Sequence, residues 1–157
     1  TAGGAIMSNS VRIVAASLQD LQALMANEQR CQSHPWSSAV MVRYLNKKQV
    51  VWRLELTEAI VGFAVVTQGA GEAELLDIAI HPDYQGHGLG QQLLQHLLDT
   101  VAANGNERMF LEVRESNRAA IAVYEKLGFC QVGVRSNYYP AKQGREDALM
   151  YCQELIV

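Results

Sequence analysis

The sequence predicts a single α/β domain, and three observations carry that prediction. Its 157 residues suffice for one core and are too few for two ordinary ones. Apolar residues make up 49% and charged residues 18%, a balance that lets a chain bury enough surface to fold alone. Along the chain the apolar pattern alternates between strand and helix character, with no repeat, linker or low-complexity tract to divide it.

Each element has a local reason. Val11 to Val14 alternate as a first strand. Ser17 then stands where an N-cap belongs, with Asp20 three residues on, and Leu18, Leu21, Leu24 and Met25 follow at helical spacing. His34-Pro35-Trp36-Ser37 ends that helix, because proline cannot continue it, and Ser37 can cap a second one carrying Val40, Met41 and Tyr44. From Gln49 to Gln68 two runs rich in Val, Ile, Trp and Phe flank Thr57-Glu58, as in an antiparallel hairpin, and Leu75 to Ile80 reads as a further strand after the Gly69 to Gly71 loop.

Leu89, Leu93, Leu94, Leu97, Leu98 and Val101 recur at helical spacing and stop near Asn104-Gly105, a natural C-terminal cap. Phe110 to Val113 reads as a strand, Asn117 to Leu127 as a helix closed by Gly128, and two strands follow at about 129 to 138 and 147 to 155.

Composition narrows the function. A net charge of -3, a pI near 5.8 and the lack of any run of five basic residues argue against nucleic acid as a partner. Cys31, Cys130 and Cys152 lack paired CxxC spacing, so no metal is expected and the thiols read as reduced, in a cytoplasmic setting. No apolar stretch is long enough for a membrane span, and no membrane partner is expected. Residues 1 to 6, TAGGAI before Met7, read as the remnant of a cleaved expression tag, leaving 7 to 157 as the domain.

The chemistry concentrates where a strand leads through His81-Pro82-Asp83-Tyr84 into Gln85-Gly86-His87-Gly88-Leu89-Gly90 and the leucine-rich helix. The glycines let the backbone turn tightly and present N–H groups, and the helix adds its positive dipole end, so a pyrophosphate can sit there without a lysine. A Walker loop would need Gly-Lys-Ser/Thr at its end, and a dinucleotide fingerprint a third glycine where Gln91 stands. An isolated GxG before a helix is also compatible with a plain tight turn.

The same segment resembles the acetyl-CoA signature (Q/R)-x-x-G-x-(G/A) of the GNAT superfamily of acetyltransferases, here Gln85, Gly88 and Gly90. A second resemblance follows: Leu111-Glu112-Val113-Arg114, then Asn117, Ala119-Ala120, Tyr124 and Leu127-Gly128-Phe129, the N-x-x-A-x-x-x-Y-x-x-x-G-F run of that superfamily. The resemblance implies a mixed, mostly antiparallel sheet of about seven strands, splayed at the acetyl-CoA site and flanked by about four helices. It implies that the backbone of Ile78, Ala79 and Ile80 meets the pantetheine arm, that Gly86, His87, Gly88, Leu89, Gly90 and Gln91 hold the pyrophosphate, and that Gln85 and Asn117 belong to the cofactor site.

Glu28-Gln29-Arg30 before Pro35-Trp36-Ser37, with Asn137-Tyr138-Tyr139-Pro140 and Gly144-Arg145-Glu146-Asp147-Ala148 near the end, resembles the RimI branch of that superfamily. Members of this branch acetylate the N-terminal alanine of a small-subunit ribosomal protein. Gln32 is a departure, since a histidine is common there in that branch. The resemblance implies that Glu112 is the base that deprotonates the acceptor α-amine, that Tyr124 is the acid for the departing thiolate, and that Trp36 faces the peptide.

By spacing alone Glu112 faces away from Leu111 and Val113, towards a cleft or solvent, and Tyr124 reads as a core aromatic with its hydroxyl at the rim. Tyr138 and Tyr139 read equally as a wall over the peptide N-terminus and as loop packing. Glu72, Glu74 and Asp77 would favour a basic peptide or merely solvate the surface. The competing readings are a GNAT enzyme for another amine, a non-catalytic acyl-CoA-binding module, and a nucleotide-binding regulatory domain.

Overall fold

A computed structural model of the protein describes residues 10–155; the expected tag remnant, residues 1 to 6, lies outside them. Seven strands form a mixed sheet of order β1-β2-β3-β4-β5-β7-β6, with four α-helices in the described residues. The chain falls into two compact units. One runs up to Val66 and takes in Asp77–His96, and the other comprises Thr67–Leu76 and the chain from Leu97 onward. β3 (Ala59–Gly69), β4 (Glu72–Ile80) and α3 (Leu89–Ala103) each contribute to both.

In the first unit β1 (Val11–Ala15) pairs antiparallel with β2 (Val51–Leu56), and β2 with β3. Thr57 and Glu58 turn the β2–β3 hairpin with φ of 51° and 69°, the left-handed pair that matches the twist of the flanking strands. α1 (Leu21–Cys31) starts later than the spacing predicts. A 3-10 turn, Leu18–Asp20, precedes it, and the tighter turn leaves Leu18 half-exposed instead of on the apolar face. Asp20 Oδ2 still reaches back to the Ser17 N–H at 2.9 Å. α2 (Ser38–Leu45) is capped as expected, Ser37 Oγ accepting from Val40 N. Leu24, Met41, Leu54, Phe63 and Leu93 are fully buried in this unit.

In the second unit β4 pairs parallel with β5 (Arg108–Arg114), from Glu72↔Arg108 to Leu75↔Leu111. β4 begins three residues earlier than the apolar run suggested, because Ala73 and Leu75 are the inward residues of an alternation whose outward members are Glu72 and Glu74. β5 alternates without a break, Met109, Leu111 and Val113 buried. β7 (Arg145–Glu154) lies antiparallel to β5 and to the edge strand β6 (Cys130–Pro140), and α4 (Arg118–Lys126) buries Ile121 and Tyr124.

Candidate functional site

The sequence-predicted cofactor residues of the loop lie in the first unit. Ile80 ends β4, His81 N bonds Val61 O at 2.7 Å, and a 3-10 turn over Pro82–Tyr84 leads into the glycine loop. Gln85 Nε2 donates back to Ile80 O at 2.8 Å and so staples the loop to the strand. Gly86 and Gly88 adopt φ of 83° and 78°, with nothing within 4 Å of where a Cβ would stand, so both supply a left-handed turn opening to solvent. Gly90 does not. It is helical, and its Cβ position lies at an ordinary 3.6 Å from Ile80 Cγ1, so it contributes room rather than the turn its spacing suggested.

The first bond of α3 runs from Gln92 N to Gly88 O at 3.0 Å. The N–H groups of Leu89, Gly90 and Gln91, the first three of α3, precede that bond and have no carbonyl one turn earlier in the helix. These three backbone donors stand at the start of a 15-residue helix, where the helix dipole also favours an anion. Buried Leu89 (2% exposed) anchors the helix start, while Gly86, His87 and Gly88 stay exposed.

Of the Ile78–Ala79–Ile80 backbone, Ile78 O accepts from Gln32 Nε2 at 3.1 Å, and Ile80 O accepts from Gln85 and from the Cys31 thiol, also at 3.1 Å. Beside the Gln32 bond, Ile78 O keeps a second lone pair for a ligand amide, whereas Ile80 O spends both of its own on Gln85 and Cys31. Trp36 is half-buried, stacked on Tyr44 with ring centres 5.3 Å apart, and its N–H donates to Glu28 Oε2 at 2.9 Å. Gln32 has a definite place, bonding Asp77 Oδ1 at 2.9 Å as well as Ile78 O.

The expectation of an acidic surface at Glu72, Glu74 and Asp77 fails for Asp77. Burial first, then its hydrogen bond to Glu28 and the charge there, push its pKa up to about 9, so it is neutral at neutral pH. Glu72 is committed to Arg108 at 3.1 Å, and Glu74 remains exposed.

The predicted chemical residues lie in the second unit. Glu112 projects from the opposite face of β5 to Leu111 and Val113 and accepts from Arg135 Nε at 2.9 Å through Oε1. Arg135 also lies over the Tyr138 ring at 5.4 Å, and Arg114 over the Tyr139 ring at 4.4 Å. Burial, then the charge of Glu112, raises the Tyr139 hydroxyl above its usual pKa, which keeps it protonated.

A bulge builds this cluster. Arg135 opposes Ala148 and Tyr139 opposes Glu146, so β6 takes four steps while β7 takes two. Asn137 sits at its apex with φ 54°, its N–H bonded to Asp147 Oδ1 at 2.9 Å, while Arg145 donates to Asn137 O at 2.7 Å and Tyr138 O at 2.8 Å. The two late motifs quoted from the sequence are thus halves of one brace. Arg135 was missed, and its only sequence signal was a basic residue just before the Asn-Tyr-Tyr run.

Tyr124 is buried (6% exposed), its ring edge-on to Phe129 at 5.9 Å. Asn117 spends its Oδ1 on capping α4 at Ala120 N, 3.2 Å away, so a structural job accompanies the cofactor role implied for it. Among the described residues no cluster of His, Cys, Asp or Glu is placed to hold a metal ion, and no helix is long and apolar enough to cross a membrane.

Residues 19–129, which take in the glycine loop before α3, Glu112 of β5 and Tyr124 of α4, match the acetyltransferase (GNAT) family. The chain belongs to that family. It is 40% identical over 142 residues to the [ribosomal protein bS18]-alanine N-acetyltransferase of Salmonella typhimurium, covering 90% of this chain and 95% of that one. It is 42% identical over 131 residues to that of Escherichia coli K12, covering 83% and 88%. The crystal structure of the ribosomal-protein-S18-alanine N-acetyltransferase from Escherichia coli superposes with a TM-score of 0.89 at 38% identity, covering 94% of this chain and 95% of that one.

Proposed function

We propose that the protein transfers an acetyl group from acetyl-CoA to the α-amine of an N-terminal alanine of a small-subunit ribosomal protein, in the cytoplasm. The observation that carries the cofactor reading is the first-turn N–H groups of Leu89, Gly90 and Gln91 at the start of α3, directly after the open glycine turn. A pyrophosphate needs several converging donors and no side-chain bulk, and the open space over Gly86 and Gly88 leaves room for it. The acceptor reading draws on the likeness, over nearly full length, to enzymes named for that substrate.

When bound, acetyl-CoA supplies an acetyl group already activated as a thioester. Residues 86–91 hold its pyrophosphate, with Gln85 fixing the loop, and the Ile78–Ile80 backbone lines the pantetheine arm. An α-amine with a pKa near 8 is mostly protonated at neutral pH and cannot attack. Glu112 takes that proton, directly or through a water, on the oxygen that Arg135 does not occupy. Tyr124 delivers a proton from its hydroxyl to the sulfur that leaves. Trp36, Tyr138 and Tyr139 contact the peptide N-terminus, and orienting amine and thioester supplies much of the rate.

The test incubates the protein with acetyl-CoA and an alanine-initiated peptide copying the ribosomal N-terminus, alongside Glu112→Gln, Tyr124→Phe and the same peptide blocked at its α-amine. One added acetyl group on the free amine alone, with kcat down by about 10²–10⁴ in Glu112→Gln, is the expected result. Binding of acetyl-CoA without modification of the peptide would overturn the acceptor while leaving the cofactor.

A further inference from the structure

Glu28, on the last turn of α1 and 1% exposed, and Asp77, half-buried on β4 with its Oδ2 out of water, are acids that the proposed reaction does not use. Each spends one oxygen on a neighbour, Glu28 Oε2 on the Trp36 N–H and Asp77 Oδ1 on Gln32 Nε2. Their other oxygens, Glu28 Oε1 and Asp77 Oδ2, are buried and meet no N–H or other hydroxyl. The carboxyl with which Asp77 shares a hydrogen bond is that of Glu28. Two carboxyls at hydrogen-bond distance away from water cannot both ionise, and an O–H···O bond between them requires a proton. A single proton satisfies both orphaned oxygens.

We propose that Glu28 and Asp77 form a one-proton carboxyl pair that positions the Trp36 loop for the acceptor amine. This rests on the reading of Trp36 as a peptide contact. Residues 32–37 join α1 to α2, and two of the hydrogen bonds that hold them, one from the Trp36 backbone and one from the Gln32 side chain, lead to the pair. Glu28 holds Trp36 N, and Asp77 orients the Gln32 amide that also bonds Ile78 O. Losing the shared proton puts two like charges in one desolvated place and pulls both anchors apart. Glu28 and Asp77 are therefore positioning residues that act through Trp36.

Other titratable groups border the pair on α1. The Cys31 thiol is raised by burial and by both carboxyls and donates to Ile80 O, while Arg30 directs its guanidinium to the His81 ring. β3 brings no titratable side chain between Ile60 and Val66.

The pair is tested in the intact protein with Asp77→Asn, whose amide donates permanently where the proton was, and with Glu28→Ala, which removes the Trp36 anchor. Steady-state KM for the alanine-initiated peptide and for acetyl-CoA is measured across pH, with thermal unfolding of each protein. Glu28→Ala should raise peptide KM about tenfold, the loss of one buried hydrogen bond to a charged group, with acetyl-CoA KM unchanged. Asp77→Asn should keep the neutral peptide KM. The wild-type to Asp77→Asn ratio of peptide KM should climb as pH passes about 9, a comparison in which titration of the peptide amine cancels.

The thermal arm needs no turnover. Between 3.8 and about 9 the folded state holds the proton more tightly than the unfolded one, so wild-type stability falls with rising pH across that window and the Asp77→Asn protein gains on it. A pH-independent difference in melting temperature overturns the shared proton. An unchanged peptide KM in Glu28→Ala overturns the positioning role. If the wild type modifies no peptide, the acceptor reading falls and the positioning role with it, while the thermal comparison still decides the pair.

Discussion

Arg135 Nε lies 2.9 Å from Glu112 Oε1, so the carboxylate proposed as the base is held in place from the neighbouring bulge. The arginine side chain is 52% exposed and the glutamate 24%. Solvent screens such a pair, and Arg135→Ala should change stability by less than about 1 kcal/mol. Its effect should fall on catalysis instead, as lower kcat/KM for the peptide, because Glu112 and Tyr138 both lose the group that orients them. Denaturant titration beside steady-state kinetics checks both, and a large stability loss with unaltered kinetics would reverse the reading.

Tyr124 carries a packing role and a proposed chemical role that substitutions separate. Tyr124→Phe keeps the ring against Phe129, so its melting temperature should fall far less than that of Tyr124→Ala while kcat falls. Tyr124→Ala should cost about 3–5 kcal/mol by opening a cavity in the second unit. Full activity in the phenylalanine variant would remove Tyr124 from the proton path.

The glycines of the loop should not respond alike. Gly88 has φ 78°, and an alanine there carries about 1–2 kcal/mol of left-handed strain and should raise acetyl-CoA KM by disturbing the amide cradle. Gly90→Ala meets only an ordinary contact and stands in a helix, so it should stabilise by roughly 0.5–1 kcal/mol. Thermal melts of the two variants, read side by side, decide it.

Gly62 marks a close approach of β3 to β4. A Cβ there would stand 2.6 Å from Ile80 Cδ1 and 2.9 Å from Ala79 O, and since the second neighbour is backbone, it cannot swing aside. Gly62→Ala should destabilise by about 1–3 kcal/mol and, by shifting Ala79 and Ile80, should also weaken acetyl-CoA binding, measurable by calorimetry.

Asn117 caps α4 through Oδ1. Asn117→Ala should lose about 1 kcal/mol, and Asn117→Asp, which keeps the acceptor, should restore it. Acetyl-CoA KM that follows the alanine but not the aspartate variant would mean that the cap acts on the cofactor site only by holding α4.

Much was legible along the chain because it is local. Ser37 and Asn117 announced their caps, Thr57-Glu58 their turn and the leucine spacing its helix, since each depends on residues within a turn of one another. The cradle was legible for the same reason, its donors being consecutive backbone groups before a recognisable helix. Leu18 was misplaced because a 3-10 turn and an α-turn share the same apolar spacing over three residues.

By itself the sequence determined the mixed α/β elements, the glycine turn that leads into α3, the face of β5 on which Glu112 stands, and membership of its family by motif. Tertiary structure alone decided what these groups meet. Glu112 has Arg135 as its partner because β7 lies between β5 and β6 and pairs Glu112 with Met150 and Arg135 with Ala148, two residues along. Asp77 became a neutral acid instead of a surface charge because α1 lays Glu28 against it out of water. Periodicity tells which face a side chain takes, whereas ion pairing and proton affinity depend on distances and burial between residues far apart in the chain.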